Sequence, residues 1–570
     1  MHGQTTTAQE WLDNGGIESR YPGLKLASPC TAEWGDVPRG QSPCCCIIQS
    51  LSEWNRALFY GSFQLQELKA PGELSLLRIA PRDQQTEQHG RDARLLFHAL
   101  LSQHLCVVSV DLDEALIEGS GLGECRERVL SVLRQNTSLR TLNLGSLFSD
   151  YRFLQEDVFA AISTTTQLQE LVISATAEAV PCLVDLLCSL LYTVRLTTLS
   201  IAGISFYEQD CEPLLDALQS NRTVVDLSLH CSILRSRNSA DAFDFAQATV
   251  SSLSVSLKGL KPENCASFFF VAPVIESLKT ISVSGVALDE LLEVCRTVDS
   301  TRMSEKVRFE EQYLVSSEAL GLLHEFREQV CHIILSSFHD PSVDAFRNDV
   351  QLVCSWYNLA TLRLDLSQAT LDDFATMYSL CGYLNATTAL RKLTLSGCDK
   401  PDLSGCLPAE NGPHSLLLGV VFSNEGLRTV QVSQIRLGDI NLHFVADAVI
   451  CNETLCGLDI SSWDNSENDL LVRILADGIQ NNLSLLRLRL PNSDGGDTEA
   501  EGRADIEAVL SRNVGYVTCA AHFVACELDT RRCMLALQCI SKSRALIDRV
   551  QELAQVDETQ ATQLVLVLAA

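Results

Sequence analysis

Short runs in which leucine, isoleucine or valine alternates with polar residues recur along this chain at nearly constant intervals. The clearest is Leu139-Arg-Thr-Leu142-Asn-Leu144. Its last two leucines flank a polar residue, as a short strand with one buried face requires. Upstream, Leu130 and Leu133 keep the interval of one helix face, and Asn136-Thr-Ser separates them from the strand. The unit reads as helix, Asn turn, strand.

The unit returns as Leu168-Gln-Glu-Leu171-Val-Ile173, Leu196-Thr-Thr-Leu199-Ser-Ile201 and Val224-Val-Asp-Leu227-Ser-Leu229, at steps of 28 or 29 residues. Val250–Val255 and Leu278–Val283 continue it, followed by Leu359–Leu364, Leu390–Leu395, Leu427–Val432, Leu455–Ile460 and Leu485–Leu490. Between Ile281 and Leu362 the pattern weakens, yet Val307/Phe309 and Ile333/Leu335 hold the phase. That predicts two degenerate repeats within 285–350 and no inserted domain. Leu74–Ile79 and Leu105–Val110 extend the series towards the N-terminus, and Val514, Val517 and Cys519 are expected to close it. The count is about 16 units of about 28 residues over 74–519.

One strand and one helix cannot bury an apolar face alone, whereas stacked units share a core. The expected fold class is α/β: a solenoid with a parallel sheet on its concave side and helices on its convex side. Strands lie about 4.8 Å apart and helices are wider, so such a stack curves towards its strands. Residues 1–73 begin loop-rich, with Pro22-Gly23, Pro38 and Pro43. From Cys44 to Leu68 they take helical spacing through Ile47, Leu51, Trp54, Leu58 and Phe59, which predicts an N-terminal cap. Residues 520–570 are helical in pattern, with Met534, Leu535, Leu537 and Ile540 followed by Leu546, Ile547, Val550 and Leu553, and are expected to form a C-terminal cap.

The L-x-x-L-x-L strands, the period near 28 and the N-x-[ST]-L turns resemble the ribonuclease-inhibitor type of leucine-rich repeat, also found in the repeat regions of NLR immune sensors. The resemblance implies a horseshoe and protein binding, usually through the concave face. It is incomplete. That family places Asn or Cys three residues after the last strand leucine; Cys398 fits, but Leu147, Ile204, Val286, Ile435 and Trp463 stand there elsewhere. The G-x-x-x-x-G-K-[ST] of a nucleotide-binding module is not found in the sequence.

Composition narrows the partners. Hydrophobic residues make up 46% and the formal net charge is −29, enough apolar material for a long core and a surface that repels phosphate backbones and anionic membranes. Nucleic acid, membrane and small-molecule substrate are therefore not expected. The opening MHGQTTTAQEWLDNGG has neither the basic cluster nor the apolar run of a secretory signal. No stretch reaches the ~20 apolar residues of a membrane span. The expected location is the cytoplasm, with the nucleus possible. The 23 cysteines include no C-x-x-C, so neither a zinc finger nor a redox motif is predicted, and no metal or cofactor is expected. They read as free thiols packed as small hydrophobes, with Cys44, Cys45 and Cys46 buried at a helix start.

Catalytic patterns are missing too. There is no G-x-S-x-G, H-E-x-x-H or G-x-G-x-x-G; His324-Glu-Phe-Arg-Glu lacks a second histidine, and His98 and His104 read as ordinary helix and turn residues. No catalytic residue is nominated, and no enzyme is expected. Asn136, Asn221, Asn385, Asn452 and Asn482 head N-x-[ST] sequons, but each is read as a structural turn before a strand, where Asn tolerates the left-handed conformation.

The frame also predicts the outward strand positions. Centrally these are small hydroxyls such as Ser228, Ser254 and Ser282, poor material where binding energy usually comes from Trp, Tyr and Arg. Better anchors follow the strands: Phe148 and Tyr151, Phe206 and Tyr207, and Trp463, expected along one rim. Arg363, Arg487 and Arg489 make a second candidate patch, suited to an acidic partner segment. The expected function is an intracellular protein-binding scaffold or sensor. Two alternatives are a ubiquitin-ligase substrate receptor, docking an adaptor through the N-terminal helices, and a GTPase-activating protein built on such repeats, for which no residue set stands out.

Overall fold

The computed structural model describes residues 17–569, apart from 25–29, 31–44, 80–86, 113–129, 146–155, 236–248, 258–277, 301–305, 315–319, 398–412, 491–496 and some shorter runs. The fold is α/β, with mostly parallel strands and helices between them. The chain forms two compact units, one made of 1–36, 43–46 and 57–311, the other of 37–42, 47–56 and 312–570.

In the first unit the strands are β1 (Phe63–Glu67), β2 (Leu74–Arg78), β3 (Val107–Asp111), β4 (Thr141–Asn143), β5 (Glu170–Val172), β6 (Ala177–Glu178), β7 (Thr198–Ser200), β8 (Ile204–Ser205), β9 (Asp226–His230), β10 (Ser252–Ser256), β11 (Thr280–Ser284) and β12 (Val307–Phe309). Ten of them pair in chain order, while β6 and β8 pair separately. The second unit has β13 (Tyr313–Leu314), β14 (His332–Ser336), β15 (Thr361–Asp365), β16 (Lys392–Ser396), β17 (Thr429–Ser433), β18 (Gly457–Ser461) and β19 (Arg487–Arg489), again in chain order and parallel.

Register follows the leucine frame. Leu142, Leu171, Leu199, Leu227, Leu253, Ile281 and Val307 are successive partners across the first sheet. Ahead of them the frame slips by two residues: Val110, not Val108, partners Leu142, and Leu105 is exposed. Ile333, Leu362, Leu393, Val430, Leu458 and Leu488 are partners across the second. Because side chains alternate faces, one shared register places every second residue of every strand in the same core layer. The two weak repeats join in register, Val307 beside Ile281 and Ile333 beside Leu362.

Three further features depart from the sequence frame. The strands divide between two sheets at β12 and β13. Only three residues, 310–312, lie between those strands, too few for the crossover of a dozen or more that a parallel pair needs. At the first repeat, Leu74 and Leu76 are buried and Leu77 is not, because an irregularity between Leu74 and Ser75 pairs Leu76 with Val110. And Val514, Val517 and Cys519 lie in a helix, not a strand.

The helices needed below are α1 (Cys46–Gln49), α2 (Leu51–Phe59), α3 (Glu87–Gln103), α4 (Phe374–Ala386), α5 (Pro413–Ser423), α6 (Gly438–Cys451), α7 (Asp497–Cys526), α8 (Arg531–Ile540), α9 (Arg544–Ala554) and α10 (Glu558–Ala569). Helical spacing read through to Leu68 ends earlier: α2 stops at Phe59, and the alternating Phe-Gln-Leu-Gln-Glu becomes β1, antiparallel to β2. The period has changed from 3.6 to 2, and the period decides. At the other end, Cys533, Leu537, Ile540, Leu546, Val550 and Val565 from α8, α9 and α10 build a core with Ala520, Ala521 and Val524 of α7. In that unit the Cys519 thiol also reaches the Ile48 carbonyl at 3.8 Å.

Asparagine ties successive units together. Asn482 Oδ1 accepts the N–H groups of Ser484 and Leu485, at 3.1 and 2.8 Å, and its Nδ2 donates to the Val449 carbonyl at 2.8 Å. Asn136, Asn221, Asn424 and Asn452 do the same, each donating to a carbonyl 30–40 residues earlier. The left-handed explanation for these residues is wrong. Asn221 and Asn482 have φ of −73°, and no Asn among the described residues has positive φ. The side chain caps its own turn and bridges to the previous unit, which satisfies backbone groups that burial would otherwise strand. Asn385 is different: it is exposed on α4, two positions ahead of the turn residue Thr387, and the repeat does not account for it.

Candidate functional site

Strand alternation presents the outward residues as the frame predicts. Ser200, Ser228, Ser254 and Ser282 lie side by side across β7, β9, β10 and β11, all half-buried. This row offers hydroxyls and no aromatic anchor.

The candidate residues do not assemble as expected. Phe148, Tyr151 and Trp463 lie outside the described residues. Phe206 is 7% exposed, with its backbone N–H bonded to Ser232 Oγ, so its ring packs under the loop and is withdrawn as an anchor. Tyr207 beside it is 52% exposed, at the N-cap of the helix Glu208–Ser220. The three arginines are not one patch. Arg363 is on β15 and Arg487 and Arg489 on β19, four strand spacings apart, or about 19 Å. Arg363 pairs with Asp365 at 2.8 Å, and Arg489 stands 3.7 Å from Asp459. Burial pushes the Asp459 carboxyl above its usual range, against the pull of Arg489, Arg487 and Lys392. Part of the positive charge is thus answered inside the sheet.

Periodicity did not single out the apolar surface that the structure leaves in view. Phe374 and Tyr378 of α4 are 60% and 70% exposed, and their rings stack at 6.5 Å. Leu416 of α5 and Ile440 and Phe444 of α6 are exposed too. A methyl placed on Gly419 of α5 would sit 3.5 Å from the Phe444 ring, so α5 and α6 share this side. The three helices carry apolar residues on their outer as well as inner faces, and none contains Lys or Arg. Asp372, Asp439 and Asp447 are exposed around them. A surface helix ordinarily turns a polar face to water; these expose large apolar side chains among the polar ones. The signal in the sequence was their even apolarity, which a search for one-sided stripes passes over.

Asp373 sets the start of α4. It accepts the Thr376 N–H at 2.8 Å and pairs with Arg347 at 2.9 Å. Its partial burial would raise the carboxyl, but hydrogen bonds from Thr376 and Arg347 outweigh that and hold it below the usual range.

The last cluster is in the first unit. Cys30, Cys45, His104 and Cys106 place their donor atoms within 4.8 Å of one another. His104 follows the end of α3, its N–H bonded to the Leu100 carbonyl at 3.0 Å. Cys106 precedes β3, and its carbonyl accepts from Leu74 at 2.7 Å. Cys45 is buried directly before α1, as expected of a helix start, but Cys46 is only half-buried and Cys44 lies outside the described residues. Cys45 Sγ is 3.8 Å from Cys30 Sγ and 3.5 Å from His104 Nδ1. Hydrogen bonding to Cys30 and Cys45, then burial, pushes the Cys106 thiol far up. A lone buried thiol, Cys295, is pushed up to about 12 by burial. A search for C-x-x-C could not find this set, since its members come from three separate stretches of chain.

No family model matches the chain, and no curated protein does. Among the described residues, no helix is long and apolar enough to cross a membrane.

Proposed function

We propose that this chain is a leucine-rich-repeat protein of the ribonuclease-inhibitor type that acts by binding another protein, without bond chemistry of its own. The in-phase parallel register and the asparagine bridges support the repeat reading, since each strand–helix unit completes its neighbour's core. One observation carries the binding reading: an apolar surface with stacked aromatics across α4, α5 and α6, rimmed by acidic residues. Exposed aromatic clusters mark interaction sites, and binding energy concentrates in them. Charge complementarity points to a protein partner whose docking face has an apolar centre and a Lys/Arg rim. The serine-rich sheet face is the poorer site.

The N-terminal helices give the adaptor-docking alternative little support. Ile47, Ile48, Leu51, Trp54 and Leu58 are all buried, so the apolar face that an adaptor would need is already used.

The test is cross-linking and capture of partners with the full chain, repeated with the pair Tyr378→Asp and Phe444→Asp. The expected result is a partner with a basic docking segment, bound less tightly as salt rises, and lost in the double variant while the melting temperature holds. Capture that survives the double variant but fails with Arg487→Ala and Arg489→Ala would move the site to the sheet. Absence of any protein partner would sink the binding reading.

A further inference from the structure

The cysteine–histidine cluster supports a conclusion that no part of the binding reading requires. Its geometry can be compared with what a bound ion would impose. Zinc bonds thiolate sulfur at about 2.3 Å and imidazole nitrogen at about 2.0–2.1 Å, so tetrahedral ligands stand about 3.8 Å apart for S···S and about 3.6 Å for S···N. The structure holds Cys30 and Cys45 sulfurs 3.8 Å apart and Cys45 sulfur 3.5 Å from His104 Nδ1. A disulfide needs about 2.05 Å between sulfurs, so Cys30 and Cys45 are not joined. Thiols that serve only as small hydrophobes have no reason to converge on an imidazole. The buried Cys211 and Cys519, by contrast, stand with backbone carbonyls, Cys211 with those of Tyr207 and Ser232 and Cys519 with that of Ile48.

We propose that Cys30, Cys45, His104 and Cys106 form a structural zinc site. Three sulfurs and one nitrogen within 4.8 Å of one another, with Cys30–Cys45 and Cys45–His104 at tetrahedral spacing, select a thiophilic ion such as Zn²⁺ over calcium or magnesium, which take oxygen ligands. Four protein donors fill the coordination sphere and leave no position for substrate, so the site is structural rather than catalytic. On binding, three thiol protons pass to solvent, three Zn–S bonds form and the imidazole donates a lone pair. Nothing is oxidised or reduced.

The site joins distant parts of the first unit. Cys30 and Cys45 lie ahead of α1, and His104 and Cys106 in the turn between α3 and β3. A second tie runs parallel to it: Arg20 grips Asp92 of α3 through two hydrogen bonds, 2.9 and 2.6 Å, and Asp92 is 1% exposed. Zinc would therefore fasten the N-terminal segment that carries Cys30 and Cys45 onto the strands and helices that follow, coupling its folding to the metal.

The full chain, purified in reductant from zinc-supplemented medium, should carry one zinc per molecule by elemental analysis. Cys45→Ser and His104→Ala should each lower that to background, while Cys451→Ser, an exposed cysteine outside the cluster, keeps it. Should the two cluster variants aggregate, wild-type protein stripped by a chelator and refilled with Co²⁺ decides the matter through the visible absorption of tetrahedral thiolate-bound cobalt. No zinc in the wild type together with no cobalt spectrum would overturn the proposal. So would full zinc retention in both cluster variants, or peptide mapping that finds Cys30 disulfide-bonded to Cys45 in the protein as isolated in reductant. None of these results depends on whether a protein partner is found.

Discussion

At the scale of single residues, the asparagines show how one side chain does two tasks. Asn482 closes its own turn with two accepted hydrogen bonds and reaches the previous unit with a donated one. Asn482→Ala leaves buried N–H and C=O groups without partners, so the expected cost is about 2–4 kcal/mol by urea denaturation. Asn385 heads a sequon as well but is exposed on a helix, and Asn385→Ala is expected to change stability by less than about 0.5 kcal/mol. Equal losses at the two positions would show that the turn, as drawn, is not what asparagine supplies. Asp373 makes a second case. As the N-cap of α4 it is expected to contribute about 1 kcal/mol, lost in Asp373→Ala. Its carboxyl is held low in the folded chain, so the ionised form is the one folding favours. The contribution is therefore complete above the unfolded carboxylate range near pH 4 and fades as pH falls through the lower folded value. Stability of Asp373→Ala relative to wild type, followed from pH 7 into acid, should converge; a gap that stays constant would mean the ion pair and cap do not titrate with this group.

Among elements, packing distance sets the tolerances. Gly397 follows β16, and a Cβ there would fall 1.9 Å from the Gln434 carbonyl oxygen and 2.7 Å from its carbon. Backbone cannot yield as a flexible side chain does, so Gly397→Ala is expected to cost at least about 1–3 kcal/mol and to loosen the β16–β17 edge in hydrogen exchange. Gly382, with open space around it, should accept alanine with little change or a small gain. The helices α4, α5 and α6 raise the opposite question, since Phe374, Tyr378, Leu416, Ile440 and Phe444 stand exposed on them. Substituting Tyr378 or Phe444 by Asp removes no buried contact of the core and is expected to leave the melting temperature within a few degrees. A large drop would mean those rings stabilise the chain itself rather than await a partner.

For the molecule as a whole, the proposed stacking of units would carry stability between neighbours and keep damage local. Leu227→Ala should deprotect β7, β9 and β10 in hydrogen exchange while the strands β15 to β18 keep their protection. Uniform loss of protection would contradict a nearest-neighbour architecture. How much of this arrangement could be read from residues alone follows from the range of each interaction. Strand phase, the burial of Leu142, Leu171 and Leu199, and the turns at Asn136, Asn221, Asn452 and Asn482 were legible, because period 2, period 3.6 and turn chemistry all act within a few residues. The parallel order then follows, since similar units can only bury similar faces against one another. What the tertiary structure decided lies at longer range. The strands divide between two sheets after β12, Phe206 turns inward while Tyr207 does not, Arg363 parts from Arg487 and Arg489 by four strands, and Cys30, Cys45, His104 and Cys106 meet only because the chain path brings three stretches to one point. Local pattern carries no information about which distant side chains will share a space; only the folded backbone supplies it.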